Sequence, residues 1–177
     1  MDARAIIWAF VLALTFIAGA TDWRTRKIPN WLTISGMLSG LILRTVISGW
    51  PGAKASLEGA GLALALLLPL VLLRALGAGD WKLMGGVGAF VGPVLFLFIL
   101  FGSIFASALM GSIQLIQTKR VKVTLLNIVE LVRGFVIFGF RPNPKISLDN
   151  PGLLKVPFGV AVAAATAVCF VVARLVH

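Results

Sequence analysis

The chain has 177 residues, 59% hydrophobic and only 12% charged, with sixteen Lys and Arg against six Asp and Glu. Soluble domains usually carry about 25% charged and about 45–50% apolar residues, so much of this apolar surface needs lipid as its solvent, as a mean hydropathy of +1.03 indicates. The net charge of +10 is spread between long apolar runs rather than gathered on a soluble face, which points to juxtamembrane orientation signals and away from nucleic acid. Cys169 has no second cysteine to pair with, and His177 is the single histidine. A cysteine-rich zinc site, histidine catalysis and a bound cofactor are therefore not expected.

In chain order, the first apolar stretch is Ile6–Ala20. Its end, Ala18-Gly19-Ala20, resembles the small-residue cleavage site of a secretory signal. Asp2 offsets Arg4 in the segment before it, however, and secretion would draw Arg24, Arg26 and Lys27 across the membrane. A retained helix is expected instead. Two more apolar stretches follow, Trp31–Ile47 and Leu57–Leu76. The region 83–116 carries no charge and is too long for one span of roughly 20 residues. Gly92-Pro93 is its natural break, because proline cannot continue the hydrogen-bond ladder before it. That leaves a short helix and then a span over Val94–Gln117, with Gly102 as a second candidate break. Val121–Phe138 mixes apolar and basic residues, as an interfacial helix does. The stretch from Arg141-Pro-Asn-Pro-Lys to Asn150-Pro-Gly reads as a loop, and Val156–Val176 is the last apolar run. The expected fold is all-α, a polytopic bundle of about six transmembrane helices in a single domain over residues 1–177.

Loop charge sets the expected orientation. Arg24, Arg26 and Lys27 place the first loop in the cytoplasm, and residues 48–56, with only Lys54, then face outward. The third apolar stretch returns the chain to the cytoplasm at Arg74 and Lys82. The segment 118–155, with seven basic residues from Lys119 to Lys155, is also expected to be cytoplasmic, as a topology determinant in contact with anionic lipid. Residues 83–117 must then cross twice or re-enter, and both termini lie outside.

Of the acidic residues, Asp2, Glu58, Glu130 and Asp149 sit in terminal, outer, amphipathic or loop positions and read as solvated or capping groups. Asp22 and Asp80 differ, for each stands where an apolar helix reaches the cytoplasmic boundary. An acid at membrane depth is costly and marks function. The first and third helices arrive at the same face, so packing can bring the two carboxyls together. Like charges at close range share one proton, and that state lets one carboxylate activate water while the other protonates a carbonyl. Gly77-Ala78-Gly79 permits a sharp bend beside Asp80, and Asp80 then falls near a helix N-terminus, where the dipole favours the ionised form. Each aspartate could instead cap a helix and pair with Arg24, Arg26 or Lys82. The glycine run Gly85, Gly86 and Gly88 reads as a packing face.

Three segments carry a family resemblance. Asp22-Trp-Arg-Thr-Arg-Lys-Ile-Pro-Asn30 resembles the D-x-R-x-x-x-I-P-N segment of type IV prepilin peptidases. Gly77-Ala-Gly-Asp-Trp-Lys82 resembles their G-x-G-D-x-K signature, whose G-x-G-D core is shared with presenilin-like intramembrane proteases. Val156-Pro-Phe-Gly-Val-Ala161 is similar to the motif that opens their last helix. The resemblance implies an intramembrane aspartic endopeptidase with Asp22 and Asp80 as its catalytic pair, cutting prepilin-like precursors with class III leader peptides at the cytoplasmic face of the prokaryotic cell membrane. The bifunctional members carry paired zinc-binding cysteines and also methylate the new N-terminus. This chain has no such pair, so the resemblance is to the short, cleavage-only form of tight-adherence (Flp-type) pilus systems. A non-catalytic alternative is an ion-coupled carrier or a pilus-assembly scaffold that binds a proton or cation on the two aspartates. Carrier sites usually lie near the midplane on broken helices, whereas both aspartates are expected at the boundary.

Overall fold

A computed structural model describes residues 3–118 and 156–175, together with Leu126 and Val129. The amphipathic helix expected over Val121–Phe138, most of the basic segment and the proline-rich loop lie outside the described residues. Five helices make up the rest: α1 (Ala3–Thr25), α2 (Asn30–Leu72), α3 (Ala78–Val91), α4 (Pro93–Gln117) and α5 (Phe158–Leu175). Four of them, all but α3, are long and apolar enough to cross a membrane.

The end of α1 follows from its sequence. Arg26 takes a left-handed conformation (φ 54°), its N–H bonds the Asp22 carbonyl at 2.9 Å, and Pro29 then fixes an extended residue before α2. The small residues Ala18 and Gly19 are buried within α1, and Gly19 lies against Gly159 and Ala163 of α5. The stretch that resembled a signal cleavage site is thus a helix-packing surface.

A straight helix of 43 residues would be about 65 Å long, twice the roughly 30 Å hydrocarbon core of a bilayer. The chain avoids this length by turning at Gly49 (φ 62°, ψ −145°), just before Trp50-Pro51. Neighbour order shows that the turn is a reversal. Gly85 of α3 packs on Met37 from before the turn and on Leu64 from after it. Further along α3, Ala89 meets Gly40 and Gly88 meets Gly59. The two arms of α2 therefore run antiparallel, and α3 lies along both. The separate apolar stretches expected at Trp31–Ile47 and Leu57–Leu76 correspond to these arms.

The α2–α3 seam is made of backbone. Gly59 and Gly88 face each other so closely that a methyl group on either would land on the other's carbonyl, an approach that small residues alone permit. Residues Leu83 through Val91 of α3 are all buried, so α3 is the core around which the longer helices stand. Val11 and Leu14 of α1, Leu67 of α2, Phe96 and Ile99 of α4 and Val162 of α5 complete that core. The outward faces remain apolar, with Val46, Phe101, Phe105 and Leu175 exposed, as lipid requires. Exposed Trp23 and Trp31 mark one end of the bundle and Trp50 the other, where aromatic belts form at membrane interfaces.

The expected count of six spans is not what helix length yields. The two arms of α2 are separate helical stretches joined at Gly49, and α3, with 14 residues, is about 21 Å long and too short to cross by itself. The break at Gly92-Pro93 is present, with Gly92 at φ 80° and Pro93 opening α4. Gly102 breaks nothing. It keeps its N–H within α4 and packs on Ala165 of α5.

Gly88→Leu should lower the stability of the protein in detergent by about 3 kcal/mol or more, because the rigid Gly59 backbone cannot give way. Gly61→Ala, where an added methyl group meets nothing within 4 Å, should be neutral or raise Tm slightly. Equal losses in the two variants would remove the seam's special role.

Candidate active site

Asp22 lies in the last turn of α1 and is turned inward, with 7% of its surface exposed. Its Oδ2 accepts a 2.9 Å hydrogen bond from the buried N–H of Gly159. That N–H belongs to the first turn of α5, where backbone donors have no partner within the helix and the dipole favours an anion. Pro157 ahead of it is buried and sets the entry of the chain. A Cβ at position 159 would stand 3.0 Å from Cβ and 3.2 Å from Oδ2 of Asp22, so glycine is the residue that lets the carboxylate reach this donor. One helical turn onward, the Arg26 charge also acts on Asp22.

Asp80 occupies the third position of α3, and the Gly77 N–H donates back to its carboxyl, the acidic half of a capping box. Its Oδ1 is buried and has no hydrogen-bond partner. Burial first, and the nearby charge of Asp22 second, push the Asp80 carboxyl up to about 7 from the usual 3.8, against the opposing pull of the Gly77 N–H. The helix N-terminus was expected to favour ionisation here. Burial and a like charge outweigh it.

The loop after α1 packs against the glycine that precedes Asp80. Ile28 is buried, and its Cβ and carbonyl lie 3.2 Å from where a Gly79 side chain would begin. Lys82 Nζ donates to Asn30 Oδ1 at 3.1 Å, joining the last residue of the first motif to the last residue of the second. Trp81 Nε1 donates to the Leu64 carbonyl at 2.8 Å, tying the start of α3 to the second arm of α2. The three motifs singled out in the sequence thus converge on one end of the bundle, where the charge of Asp22 acts on Asp80. The alternative in which each aspartate caps a helix is realised in part, since Asp22 caps α5 and Asp80 caps its own helix. Lys82 turns to Asn30, and Glu58 lies apart, 3.8 Å from Lys54 in an exposed pair.

Sequence reasoning assigned no role to Gly159. The donor is a backbone amide, whose role a motif does not announce; the signal was its place in the Val156-Pro-Phe-Gly-Val-Ala161 segment that opens the last helix. Beside the pair, Phe16, Gly19, Ala20 and Trp23 of α1 and Val160, Ala163 and Ala164 of α5 line an open apolar groove of about 460 Å³, with Arg24 at its rim.

Residues 9–112, more than half of the chain, match the family model described as the type IV leader peptidase family. That span holds Asp22, Asp80 and the motifs around them, and it ends before Gly159, which the fold alone brings to Asp22. Neither a curated protein nor a solved structure matches the chain detectably. A helical, membrane-suited bundle with the first two motifs in contact and the family match across both lead to one conclusion: the chain belongs to the type IV leader peptidase family.

Proposed function

We propose that the protein is an aspartic endopeptidase that removes the leader of prepilin-like precursors, of the Flp type, at the cytoplasmic membrane face. Asp22 and Asp80 are its catalytic pair. The observation that carries this reading is the state of Asp80, a carboxyl with one oxygen buried and without a partner, raised to about 7 by burial and by the charge of Asp22. A structural cap has no use for an unsatisfied oxygen. A general acid does, because that oxygen is where a substrate group enters.

The chemistry follows from which member holds the proton. Asp22 is the carboxylate that accepts the Gly159 N–H, and Asp80 keeps the shared proton near neutrality. Asp22 takes a proton from a water whose oxygen attacks the scissile carbonyl carbon, while Asp80 gives its proton to the carbonyl oxygen. The tetrahedral diol then collapses. The C–N bond breaks, the leaving nitrogen takes up the proton gained by Asp22, and a diol hydroxyl returns a proton to Asp80. The pair ends as it began.

The membrane arrangement that fits this chemistry has six membrane segments, with the two arms of α2 counted separately and α3 as a re-entrant half-helix from which α4 returns to the same face, and it leaves both termini outside. Arg24, Arg26, Lys27, Arg74 and Lys82 all fall at the end of the bundle that holds the two aspartates, which supports a cytoplasmic placement of that end. Cleavage then takes place where a precursor's leader meets its own apolar helix.

Asp22→Asn and Asp80→Asn should each lower cleavage of a co-expressed prepilin by more than about 10³-fold, a loss expected when one member of a unit is removed, with the melting profile in detergent retained. Full cleavage in either variant would remove the pair from the mechanism.

The pH dependence has a definite sign. The proton on Asp80 is present below about pH 7 and lost as pH rises through that value, so kcat should fall on the alkaline side with a limb near 7. By linkage the folded state holds this proton between about 3.8 and 7 while the unfolded chain has released it, so this group's contribution to stability declines as pH rises across that window. A rate profile flat from pH 6 to 9 would contradict the assignment.

Gly159→Ala should cost about 10- to 100-fold in kcat, by displacing Asp22, with little change in Tm. Steady-state cleavage of a purified precursor would measure it.

A further inference from the structure

The two arms of α2 and the helix they hold present a mechanical problem. Gly36, Gly40 and Gly59 of α2 lie against Gly86, Ala89 and Gly88 of α3, while Gly85 takes the Met37 and Leu64 side chains, so much of the seam is close backbone contact with few side chains seated across it. Helix register is ordinarily set by ridges of side chains seated in grooves. A seam with so few seated side chains resists separation better than it resists sliding along the helix axis. Asp80 rides on the first turn of α3, so any slide changes its approach to Asp22.

Polar anchors at the two ends of α3 supply what the seam lacks. At the Asp80 end the anchor is the Trp81 indole on the Leu64 carbonyl, from the second arm of α2. At the far end it is Arg44, from the first arm. Its Nε donates to the Phe90 carbonyl at 2.7 Å and its Nη2 to the Val91 carbonyl at 3.0 Å. These are the last carbonyls of α3. The chain swings away at Gly92 (φ 80°), so the residues that follow do not continue the ladder that would receive them. In a helix too short to cross a bilayer these carbonyls end away from bulk water, where an unsatisfied group is costly. The planar guanidinium matches two adjacent carbonyls with two parallel donors, and its positive charge suits a helix C-terminus. It packs close over Gly92, 3.6 Å from where a side chain there would begin. An arginine in a transmembrane arm is a functional signal in its own right, and the chemistry described for Asp22 and Asp80 makes no use of it.

We propose that Arg44 is a positioning residue for the catalytic pair: its two hydrogen bonds to the end of α3 fix the axial register of that helix and so the distance at which Asp80 meets Asp22. The proposal rests on the reading of Asp22 and Asp80 as the catalytic pair. Arg44 itself stays at the opposite end of α3 from the site and touches no substrate.

The test uses the full chain in detergent or liposomes, with Arg44→Gln, Arg44→Lys and Asp80→Asn prepared in parallel. Cleavage of a purified precursor is measured from pH 5.5 to 9, and folded protein is quantified by thermal unfolding. Arg44→Gln should lower kcat by about tenfold or more with KM within about twofold, the signature of lost transition-state geometry. Its alkaline limb should move to lower pH by about one unit as Asp80 loses the close influence of Asp22. Arg44→Lys, which keeps the charge but cannot span both carbonyls, should fall between wild type and Arg44→Gln in both measures. The proposal is overturned if the activity of Arg44→Gln tracks its folded fraction with the limb unmoved, or if Arg44→Lys behaves as wild type. If Arg44→Gln fails to fold, the limb of Arg44→Lys decides in the same way, and failure of both to fold makes the role purely structural and also overturns it. Activity in Asp80→Asn would instead show that the reading of the pair is at fault, so the two failures are distinguishable.

Discussion

Gly59 and Gly88 meet backbone to backbone, and the remainder of the bundle is arranged around that contact. A helix of 14 residues cannot cross a bilayer and cannot satisfy its own C-terminal carbonyls. It persists because it is wrapped: the hairpin of α2 closes on it through a seam of glycines, and α1, α4 and α5 cover the rest. In water such a helix would be held by apolar burial. Among lipid tails that driving force is weak, and close van der Waals contact between small residues takes its place. The glycines at 36, 40, 59, 85, 86 and 88 are therefore the fold's cohesive surface.

The same arrangement accounts for the electrostatics of the site. Because α3 is wrapped on every side, the carboxyl on its first turn is drawn into an environment poor in water, and the loop carrying Ile28 packs against the preceding Gly79. Asp22 arrives from α1 with a donor from α5 already on one oxygen. The two acids thus come from different helices and have different partners: one oxygen of Asp22 is engaged, and one oxygen of Asp80 is left open. That asymmetry gives two identical side chains different surroundings, as the proposed pair of acid and base requires. Neither burial nor proximity alone would produce it, since burial would raise both carboxyls alike and proximity acts on each equally.

Position along the membrane normal links the two ends of the molecule. The residues at the Asp22 end are basic or tryptophan, with Trp23 and Trp31 exposed, and the turn of the α2 hairpin at the far end carries Trp50. Between them α3 reaches inward from the Asp22 end and stops at Gly92, where Arg44 receives it. A charged group within an apolar arm and a pair of acids at the boundary are both costly. The fold meets each cost with backbone groups that would otherwise lack partners.

Much of this was legible in the chain itself. The apolar runs marked the helices to within a few residues, Gly92-Pro93 marked the break, and Asp22 and Asp80 stood out as acids in positions where apolar helices reach a boundary. Hydropathy and proline are local properties, so the sequence by itself determines the helices and their ends. It did not show that α2 is a closed hairpin around α3, or that Gly102 packs on α5 without breaking α4, because these depend on which surfaces meet. The partners of the key groups were equally hidden. Gly159 lies 137 positions from Asp22 and reaches it through a backbone amide, and Arg44 reaches the Phe90 carbonyl across 46 positions. Backbone donors and acceptors are the same at every residue, so only the tertiary structure decides which of them a carboxylate or a guanidinium will find.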